Sequence, residues 1–358
     1  MRIAVVAPRF PPYIGGMEQY CYELANQLVK MGNVVTVLTT VPPSYPLENS
    51  STHGYTVMRF RDLSPFAPHV SFGLSRFLAK NLSKFDFVIN NNYHSLLALQ
   101  IALSSPRRML FRPHFHGTVG LTVERTALHR LYRLAGALIT SRSHIIICES
   151  DYEMDLFKAA FPRAVSRVVK IRGGINRVDC IDKARIPNTI LTVARLENYK
   201  GVEDIIRVLV YLPSYTLHVV GDGPMKKDLV ELASDLAVSS RVVFHCFVPT
   251  KVKNLMFCKM AVMVLLSRHE SFGTAVGEAL SAGQPCIVLE SNALREWVNN
   301  TNCFGITDPV RPIQLAKLIE KVQGAAGGEQ KAWTWDDNVR RLQSMMKLIE
   351  FVPDKTTR

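Results

Sequence analysis

The chain has 358 residues, of which 47% are hydrophobic, and its 43 Lys and Arg outnumber 30 Asp and Glu to give a formal net charge of +13. This is enough apolar sequence for two domains with separate cores, and it excludes a disordered polyelectrolyte. No apolar run approaches the roughly 18 residues of a membrane-spanning helix, so a transmembrane protein is also excluded.

The basic charge is unevenly distributed. Residues 1–177 carry 21 Lys and Arg against 10 Asp and Glu, a net of +11, whereas residues 178–358 carry 22 against 20, a net of +2. Such a one-sided field acts on polyanions or anionic membrane surfaces and says little about the fold. The first apolar run, residues 3–7, is followed by prolines and lacks the segments of a signal peptide, so we expect a cytoplasmic protein.

The seven cysteines are odd in number and widely spaced, so the sequence predicts neither a disulfide framework nor a structural zinc site. Each is expected to be a small buried apolar residue. They are Cys21, Cys148, Cys180, Cys246, Cys258, Cys286 and Cys303.

Strands and helices alternate along the first half of the chain, which predicts a doubly wound parallel sheet. The predicted strands are residues 3–7, 34–39, 87–90, 109–111, 145–148 and 168–171, and the predicted helices are 17–31, 95–103 and 124–134.

The same alternation restarts in the second half, so we expect two α/β domains in tandem. The predicted strands are 189–193, 216–220, 242–244, 262–265 and 286–289, and the predicted helices are 202–209, 225–233, 251–257, 274–282 and 336–351. The glycine pair at 173–174 and Pro187 mark the boundary. The expected division is an N-terminal domain over 1–174, a second domain over 175–335, and a closing helix over 336–358 that crosses back to the first.

Three loops follow predicted strands, where open α/β sheets bind ligands. Gly15 and Gly16 precede the first helix, whose free amides suit an anion, although the dinucleotide fingerprint G-x-G-x-x-G is missing. Arg195 and Lys200 follow the first strand of the second half and suit a diphosphate.

The segment 269–280, HESFGTAVGEAL, is the most informative. Gly273 lets backbone amides approach a ligand, and the helix that begins near Thr274 directs its positive end toward negative charge. Glu270 in the loop and Glu278 in the helix supply carboxylates suited to sugar and ribose hydroxyls. In the first half, His116 of the segment RPHFHG ends a strand and could bond a sugar hydroxyl or move a proton; it is favoured over His114 because Gly117 follows it.

These segments resemble those of family 4 retaining glycosyltransferases, which have two facing Rossmann-like domains in the fold called GT-B. The resemblance covers nearly the whole chain, and its most specific part is the pair of glutamates separated by seven residues. It rests on the segments PPYIGGMEQ, HFHG, VARLENYKG, GDGP and ESFGTAVGEALSAGQP. The chain departs from the family at the domain boundary, where it has Gly-Gly-Ile-Asn and the family has Asn-Gly-hydrophobic-Asp.

The resemblance implies a role for each matching residue. Arg195 and Lys200 would bind the donor diphosphate, Glu270 the donor sugar, and Glu278 the ribose. Phe272, Gly273 and Thr274 match the loop whose backbone holds sugar and phosphate, Gly15 and Gly16 the loop beside the donor phosphate, and His116 the histidine near the reacting sugar. The donor would be a UDP-, GDP- or ADP-sugar, and neither a cofactor nor a metal ion is expected, because cations and a helix N-terminus would stabilise the leaving diphosphate.

Two basic amphipathic stretches in the first half indicate binding to an anionic membrane. One has Leu74, Phe77, Leu78, Leu82 and Phe85 at helical spacing, with Arg76, Lys80 and Lys84 on another face; the second has Arg125, Arg130 and Arg133 beside Leu128, Leu131 and Leu134. Packing against the sheet is the alternative. The expected acceptor is a sugar, a glycan or a lipid-linked sugar at the cytoplasmic face.

Three other functions stay open at this stage. A nucleotide-sugar epimerase of similar fold would share the diphosphate and ribose contacts. A basic nucleic-acid-binding protein is suggested by charge alone and lacks a reading motif, so nucleic acid is not expected as a partner. A nicotinamide dehydrogenase would need the missing glycine fingerprint.

Overall fold

A computed structural model describes residues 1–13, 15–63, 69–104, 106–117, 123–182, 184–323 and 333–351, without the side chains of 52, 123–131 and 351. The chain divides into two compact units. The first unit is Met1–Arg172 together with the chain from Trp335 onward, and the second unit is Gly173–Thr334.

The first unit contains an eight-stranded sheet in the order β3-β4-β2-β1-β5-β6-β7-β8, in which every pairing is parallel except β3 with β4. Strands such as RIAVVA are buried along almost their whole length because helices cover both faces. The strands are β1 Arg2–Ala7, β2 Val34–Val41, β3 Ser50–Thr52, β4 Tyr55–Arg61, β5 Phe87–Asn91, β6 Met109–Arg112, β7 Ile145–Cys148 and β8 Val168–Lys170.

Five helices connect these strands. Serines cap three of them: the hydroxyls of Ser71, Ser95 and Ser150 accept hydrogen bonds from amides of the first turns. The helices are α1 Gly16–Lys30, α2 Phe72–Asn81, α3 Leu96–Leu103, α4 Val123–Arg142 and α5 Asp151–Ala160.

The second unit has a six-stranded, wholly parallel sheet in the order β11-β10-β9-β12-β13-β14. Its strands are β9 Ile186–Val193, β10 Thr216–Val220, β11 Val242–Phe244, β12 Met260–Leu265, β13 Cys286–Leu289 and β14 Cys303–Ile306. Its helices are α6 Val202–Val208, α7 Lys226–Asp235, α8 Thr250–Lys259, α9 Thr274–Ser281 and α10 Pro312–Val322.

The last helix, α11 Trp335–Phe351, belongs to the first unit although it follows the second in the chain. Its residues Trp335, Val339, Leu342 and Met346 recur every three or four positions and are buried in the same core as α1. The tail of the chain therefore completes the hydrophobic core of the N-terminal unit.

The prediction about cysteines is wrong for one pair. Cys180 and Cys258 form a disulfide, with Cα atoms 5.6 Å apart and a sequence separation of 78. Spacing along the chain could not indicate this bond, because it depends on where α8 ends relative to the segment before β9. Of the other five cysteines, four are buried and Cys246 is half-buried.

The first amphipathic stretch uses its apolar face internally. Leu74 and Leu78 on α2 are fully buried in the core, with Phe77, Leu82 and Phe85 packed against it. Arg76, Lys80 and Lys84 are exposed. Packing against the sheet, the alternative to membrane insertion, therefore accounts for this apolar face.

The second basic stretch lies on α4. The side chains of its residues 125–131 are outside the described part of the chain. Beyond them, Leu134 is 72% exposed, and the Arg133 guanidinium donates to the Ala160 carbonyl at 2.9 Å. No helix within the described residues combines the length and hydropathy needed to cross a membrane.

Replacing Leu342 by alanine tests the contribution of the closing helix. Leu342 is fully buried, so we expect the first unit to lose about 2–5 kcal/mol of unfolding free energy in urea titrations. Leu348→Ala is the matched control, because Leu348 lies on the same helix but is 68% exposed; it should change stability by no more than about 0.5 kcal/mol. Equal losses in both variants would contradict the placement of α11.

Candidate functional site

Seven of the ten predicted site residues lie in the second unit, in loops that leave two neighbouring strands. Arg195 and Lys200 follow β9, and residues 270–278 follow β12, which pairs with β9. Because carboxyl ends of parallel strands meet at one edge, the two segments come together although about 70 residues separate them.

An ion pair joins the two loops. The Lys200 ammonium lies 2.5 Å from a Glu270 carboxylate oxygen, and both side chains are largely buried, with 13% and 19% of their surface exposed. Burial alone would lower the pKa of Lys200, but the Glu270 carboxylate, together with Tyr199 and Glu197, outweighs burial and raises that pKa above its ordinary value. The site therefore holds a fixed positive charge and a fixed carboxylate side by side.

Arg195 differs from Lys200 in its exposure. Its side chain is 70% exposed, and its only described ion pair is with Glu197 at 3.2 Å. A guanidinium at such a surface position can turn toward an anion at little cost, because an exposed pair is worth less than about 1 kcal/mol.

Two glycines allow the loops after β9, β10 and β12 to approach one another closely. Gly221 has φ +136° and Gly201 φ +66°, and a Cβ at either would collide with a main-chain oxygen, that of Ala194 or Leu266. The segment GDGP lies against VARL through hydrogen bonds from Leu196 N to Asp222 O and from Met225 N to Leu196 O, both 3.0 Å. These contacts fix the backbone that carries Arg195.

The segment Phe272-Gly273-Thr274 is held in place by Trp297. The Trp297 indole N–H donates to the Phe272 carbonyl at 2.6 Å, and the two rings meet edge to face at 5.1 Å. Gly273 has φ +87° and caps α9, where a Cβ would lie 2.7 Å from Leu294. Phe272 is buried, and Thr274, the first residue of α9, is exposed.

Glu278 lies in α9 and is only 6% exposed. Its carboxylate accepts a hydrogen bond from the Lys253 ammonium of α8 at 2.6 Å. Lys253 also lies 5.7 Å from the centre of the Phe257 ring on its own helix. Glu278 is thus a carboxylate held by a cation, not an isolated acidic side chain.

Sequence reasoning missed Lys253 and Trp297. Lys253 is one of three lysines in the segment 251–259, and no spacing distinguishes it from the others. Only the packing of α8 beside α9 brings its ammonium to Glu278. Trp297 follows β13, away from every motif in sequence.

The remaining predicted residues, Gly15, Gly16 and His116, lie in the first unit. Gly15 precedes α1, and a Cβ there would collide with the Glu18 carboxylate, whereas a Cβ at Gly16 would meet no atom within 4 Å. The half-buried His116 stacks on His94 with ring centroids 4.6 Å apart. It follows β6, and Gly15 follows β1, so both lie toward the carboxyl edge of the first sheet.

A network of buried charges supports the loop that carries His116. His114 Nδ1 lies 3.3 Å from a Glu149 oxygen, and Arg112, which has no exposed surface, lies over the Tyr20 ring at 5.1 Å. Burial alone would raise the pKa of Glu149, but His114 and then Arg112 outweigh it and hold that pKa below its ordinary value. His114 therefore has a structural partner in Glu149.

Glu153 connects this loop to α5. Both of its carboxylate oxygens accept main-chain N–H groups, one from Phe115 at 2.6 Å and one from Glu149 at 2.7 Å. The side chain is fully buried, and burial raises the pKa of Glu153 to about 7, a rise that His114 opposes and Glu149 increases. Glu153 thus holds together the loops after β6 and β7.

Metal-ligating side chains are not clustered in the described part of the chain: no group of three or more His, Cys, Asp and Glu is placed to hold an ion.

Two family models match the chain and together span most of it. Glycosyltransferase Family 4 matches residues 14–178, and Glycosyl transferases group 1 matches residues 181–326. The chain belongs to this glycosyltransferase family. An uncharacterized glycosyltransferase of Methanocaldococcus jannaschii is 27% identical, over 97% of this chain and 98% of the relative. A GDP-mannose-dependent alpha-(1-6)-phosphatidylinositol monomannoside mannosyltransferase of Mycobacterium tuberculosis is 24% identical, over 97% and 98%.

Solved structures show the fold of this glycosyltransferase. Sucrose-phosphate synthase from Thermosynechococcus elongatus matches with a TM-score of 0.78 at 18% identity, over 98% of this chain and 99% of that one. HepE of Anabaena, solved in complex with UDP and glucose, matches with a TM-score of 0.71 at 18% identity, over 98% and 100%. The predicted α/β class and GT-B architecture are confirmed.

Glu153→Gln should change how the stability of the first unit depends on pH. The carboxyl ionises near 4.5 when unfolded but near 7 when folded, so its contribution to stability falls as pH rises between these values. Glutamine does not titrate. The stability of the variant relative to the native chain should therefore rise from about pH 5 to about pH 8 in urea unfolding.

The control is Asp155→Asn, which removes an exposed carboxylate from the same helix. Its difference from the native chain should vary less over the same pH range. Parallel curves for Glu153→Gln and the native chain would contradict the interpretation.

Proposed function

We propose that this glycosyltransferase moves a hexosyl unit from a nucleoside-diphosphate sugar to an acceptor hydroxyl with retention of anomeric configuration. The observation that supports it most is the Lys200–Glu270 pair, which places an ammonium and a carboxylate together beside the N-terminus of α9. One group suits a phosphate and the other a sugar hydroxyl. A UDP-, GDP- or ADP-sugar would fit this chemistry.

The cations perform the electrostatic part of the reaction. As the bond between the anomeric carbon and the diphosphate oxygen breaks, negative charge grows on the leaving phosphate. Arg195, Lys200 and the opening amides of α9 near Thr274 stabilise that charge, as a divalent ion does in other sites. We therefore propose that the transfer needs neither a metal ion nor a cofactor.

Two carboxylates and the loop backbone bind the sugars of the donor. Glu270 accepts hydrogen bonds from donor-sugar hydroxyls while Lys200 keeps its carboxylate in place, and Glu278, fixed by Lys253, accepts from the ribose. The backbone of Phe272 and Gly273 holds sugar and phosphate.

The acceptor hydroxyl attacks the anomeric carbon from the face that the diphosphate leaves. A new bond from that oxygen to the anomeric carbon forms, the bond to diphosphate breaks, and the departing phosphate takes the hydroxyl proton. The resemblance to the family assigns Gly15 and Gly16 to the donor phosphate and His116 to a hydroxyl of the reacting sugar. We do not assign Glu270 as a nucleophile, because among the described residues its carboxylate is paired with the Lys200 ammonium and not with a second carboxylate as in a glycoside hydrolase.

The proposed acceptor is a sugar, a glycan or a lipid-linked sugar, with the enzyme associated peripherally with the cytoplasmic face of a membrane. The net charge of +11 over residues 1–177 supports the membrane association. The mycobacterial relative, a phosphatidylinositol monomannoside mannosyltransferase, supports an acceptor of this kind.

The affinity of alanine variants for nucleotides tests the assignment of the donor site. Arg195→Ala, Lys200→Ala and Glu278→Ala should each weaken binding of the preferred nucleotide about tenfold, because a hydrogen bond to a charged group contributes about 1.5–3 kcal/mol. Thermal shifts with UDP, GDP and ADP measure this, since ligand at 100 times its dissociation constant adds about 2.7 kcal/mol.

Lys227→Ala, which removes an exposed lysine of α7, is the matched control and should leave binding unchanged. Arg195 is the most informative position because its side chain is 70% exposed, so its loss should not disturb folding. Unchanged affinity in Lys200→Ala and Glu278→Ala would refute the assignment of the donor site.

The anomeric configuration of the product and the effect of metal removal on the rate test the proposed reaction. NMR of the first product formed should show the anomeric configuration of the donor, and excess EDTA should leave the rate unchanged. Isomerised nucleotide sugar without transfer would identify an epimerase instead, an inverted product would refute retention, and a rate restored only by a divalent ion would refute metal independence.

A further inference from the structure

The second unit begins with a buried segment, residues 173–175. Its first residue departs from the family pattern, because Gly173 stands where the family has asparagine. The backbone of Gly173 is outside the left-handed region, so alanine could adopt the same conformation without strain. What glycine supplies at this position is therefore space for a neighbouring group, and not backbone freedom.

The ring of Phe272 occupies that space. A Cβ at Gly173 would lie 2.7 Å from Phe272 Cδ1, and the two next nearest atoms, Cε1 at 3.0 Å and Cγ at 3.1 Å, belong to the same ring. Carbon atoms in contact are normally about 3.5–4.0 Å apart. Because Phe272 is only 6% exposed, its ring has little room to move aside. A side chain at position 173 would therefore displace the loop that carries Phe272.

Gly277 allows a second close contact, between the same segment and α9. A Cβ at Gly277 would lie 2.8 Å from Ile175 Cγ2 and 2.8 Å from Trp297 Cη2. Glycine is unfavourable inside a helix, and close packing on two sides accounts for its presence here. The next residue of α9 is Glu278, so the contact with Ile175 lies directly beside the carboxylate proposed for the ribose.

Five residues lie against one another in a closed sequence of contacts. In order they are Gly173, Phe272, Trp297, Gly277 and Ile175, and the last is two residues from the first. The hydrogen bond from the Trp297 indole N–H to the Phe272 carbonyl fixes the main chain as well as the ring. The donor loop and α9 are thus packed on residues 173–175 at two points.

Main-chain bonds hold residues 173–175 in turn. The Ile175 N–H donates to the Trp333 carbonyl at 3.1 Å, and Ile175 forms a parallel β-bridge with Thr334. The Ile175 side chain is 1% exposed. The segment is therefore a fixed support for the groups that pack on it.

We propose that Gly173 is a positioning residue of the donor site, because its missing side chain lets the Phe272 ring pack against residues 173–175. The inference rests on the proposed function and adds what sets the position of the donor loop. Phe272 precedes Gly273 and Thr274, where α9 begins, and a shift of the ring would shift the amides proposed to bind phosphate. Gly173 acts through Phe272 and has no polar side chain of its own.

A double-mutant cycle between positions 173 and 272 tests the proposal. Gly173→Ala should weaken binding of the preferred nucleotide among UDP, GDP and ADP about tenfold, because overpacking forces backbone shifts. Adding the same change to Phe272→Leu should weaken binding less than about twofold, because the smaller side chain leaves room for the new methyl group. Isothermal titration calorimetry well below the unfolding midpoint measures each affinity. A merely structural role would lower that midpoint and leave affinity unchanged.

Gly73→Ala is the matched control. Gly73 lies in α2, where a Cβ would be 3.6 Å from Phe60 Cδ1 and 3.7 Å from Ser71 Oγ, which is ordinary contact. This variant should bind nucleotide as the native chain does. Hydrogen exchange of the chains without nucleotide gives a second measurement: amides of residues 272–278 should exchange faster in Gly173→Ala, whereas those of β10 should not change.

Equal nucleotide affinity of Gly173→Ala and the native chain would overturn the proposal. A tenfold loss that persists in the Phe272→Leu background would also overturn it, because the contact with the ring would then not be the cause. If Gly173→Ala alone does not fold, the double variant decides: recovery of a folded, nucleotide-binding chain supports the proposal, and failure to recover refutes it. Faster exchange at residues 272–278, in a protein whose native form binds no nucleotide, would refute the donor site alone.

Discussion

The shared edge of parallel strands is the constraint on which both units depend. All strands of the second sheet run in one direction, so the loops after β9 and β12 meet although they are distant in sequence. That meeting creates the pair of Lys200 and Glu270, which neither loop could form alone.

Close packing between the loops fixes the positions of the site residues. Gly201 and Gly221 bring backbone segments within contact distance, which any Cβ would prevent, and Trp297 bonds the carbonyl of Phe272. The candidate carboxylates are likewise held by ammonium groups, Glu270 by Lys200 and Glu278 by Lys253. A carboxylate fixed in this way loses little conformational entropy on binding a hydroxyl, which favours preorganised recognition.

Buried charge has a different role in the first unit. Removing a charged side chain from water is costly, and the first unit buries three of them: Arg112, Glu149 and Glu153. A nearby group of opposite charge or main-chain N–H donors offset the desolvation cost of each. Asn338 of α11 contacts Arg112 at 3.5 Å and donates to the Arg172 carbonyl. The closing helix is therefore joined to the loop of His116 by polar contacts as well as by its apolar face.

Periodicity and turn residues predicted most of the fold. Strands β7, β10, β11 and β13 begin and end where the sequence placed them. Strands β3, β4 and β14 and helices α5 and α10 were not predicted. Both helices nevertheless have local signals: Ser150 caps α5, and α10 opens on Pro312 and buries Leu315, Ala316, Ile319 and Val322 at helical spacing. The predicted site residues belong to motifs that the sequence shows, and Glu153 follows Ser150 at the spacing of a capping box, whereas Lys253 and Trp297 have no local pattern.

By itself the sequence determined the α/β class, the two-unit organisation of motifs, the family and the amount of basic charge, since composition, periodicity and spacing are properties of the chain. Only the tertiary structure decided which groups meet: that Glu278 is held by Lys253, that Cys180 reaches Cys258, and that the apolar face of α2 belongs to the core. The physical reason is that contacts between distant residues depend on strand order and helix packing, which spacing along the chain does not specify.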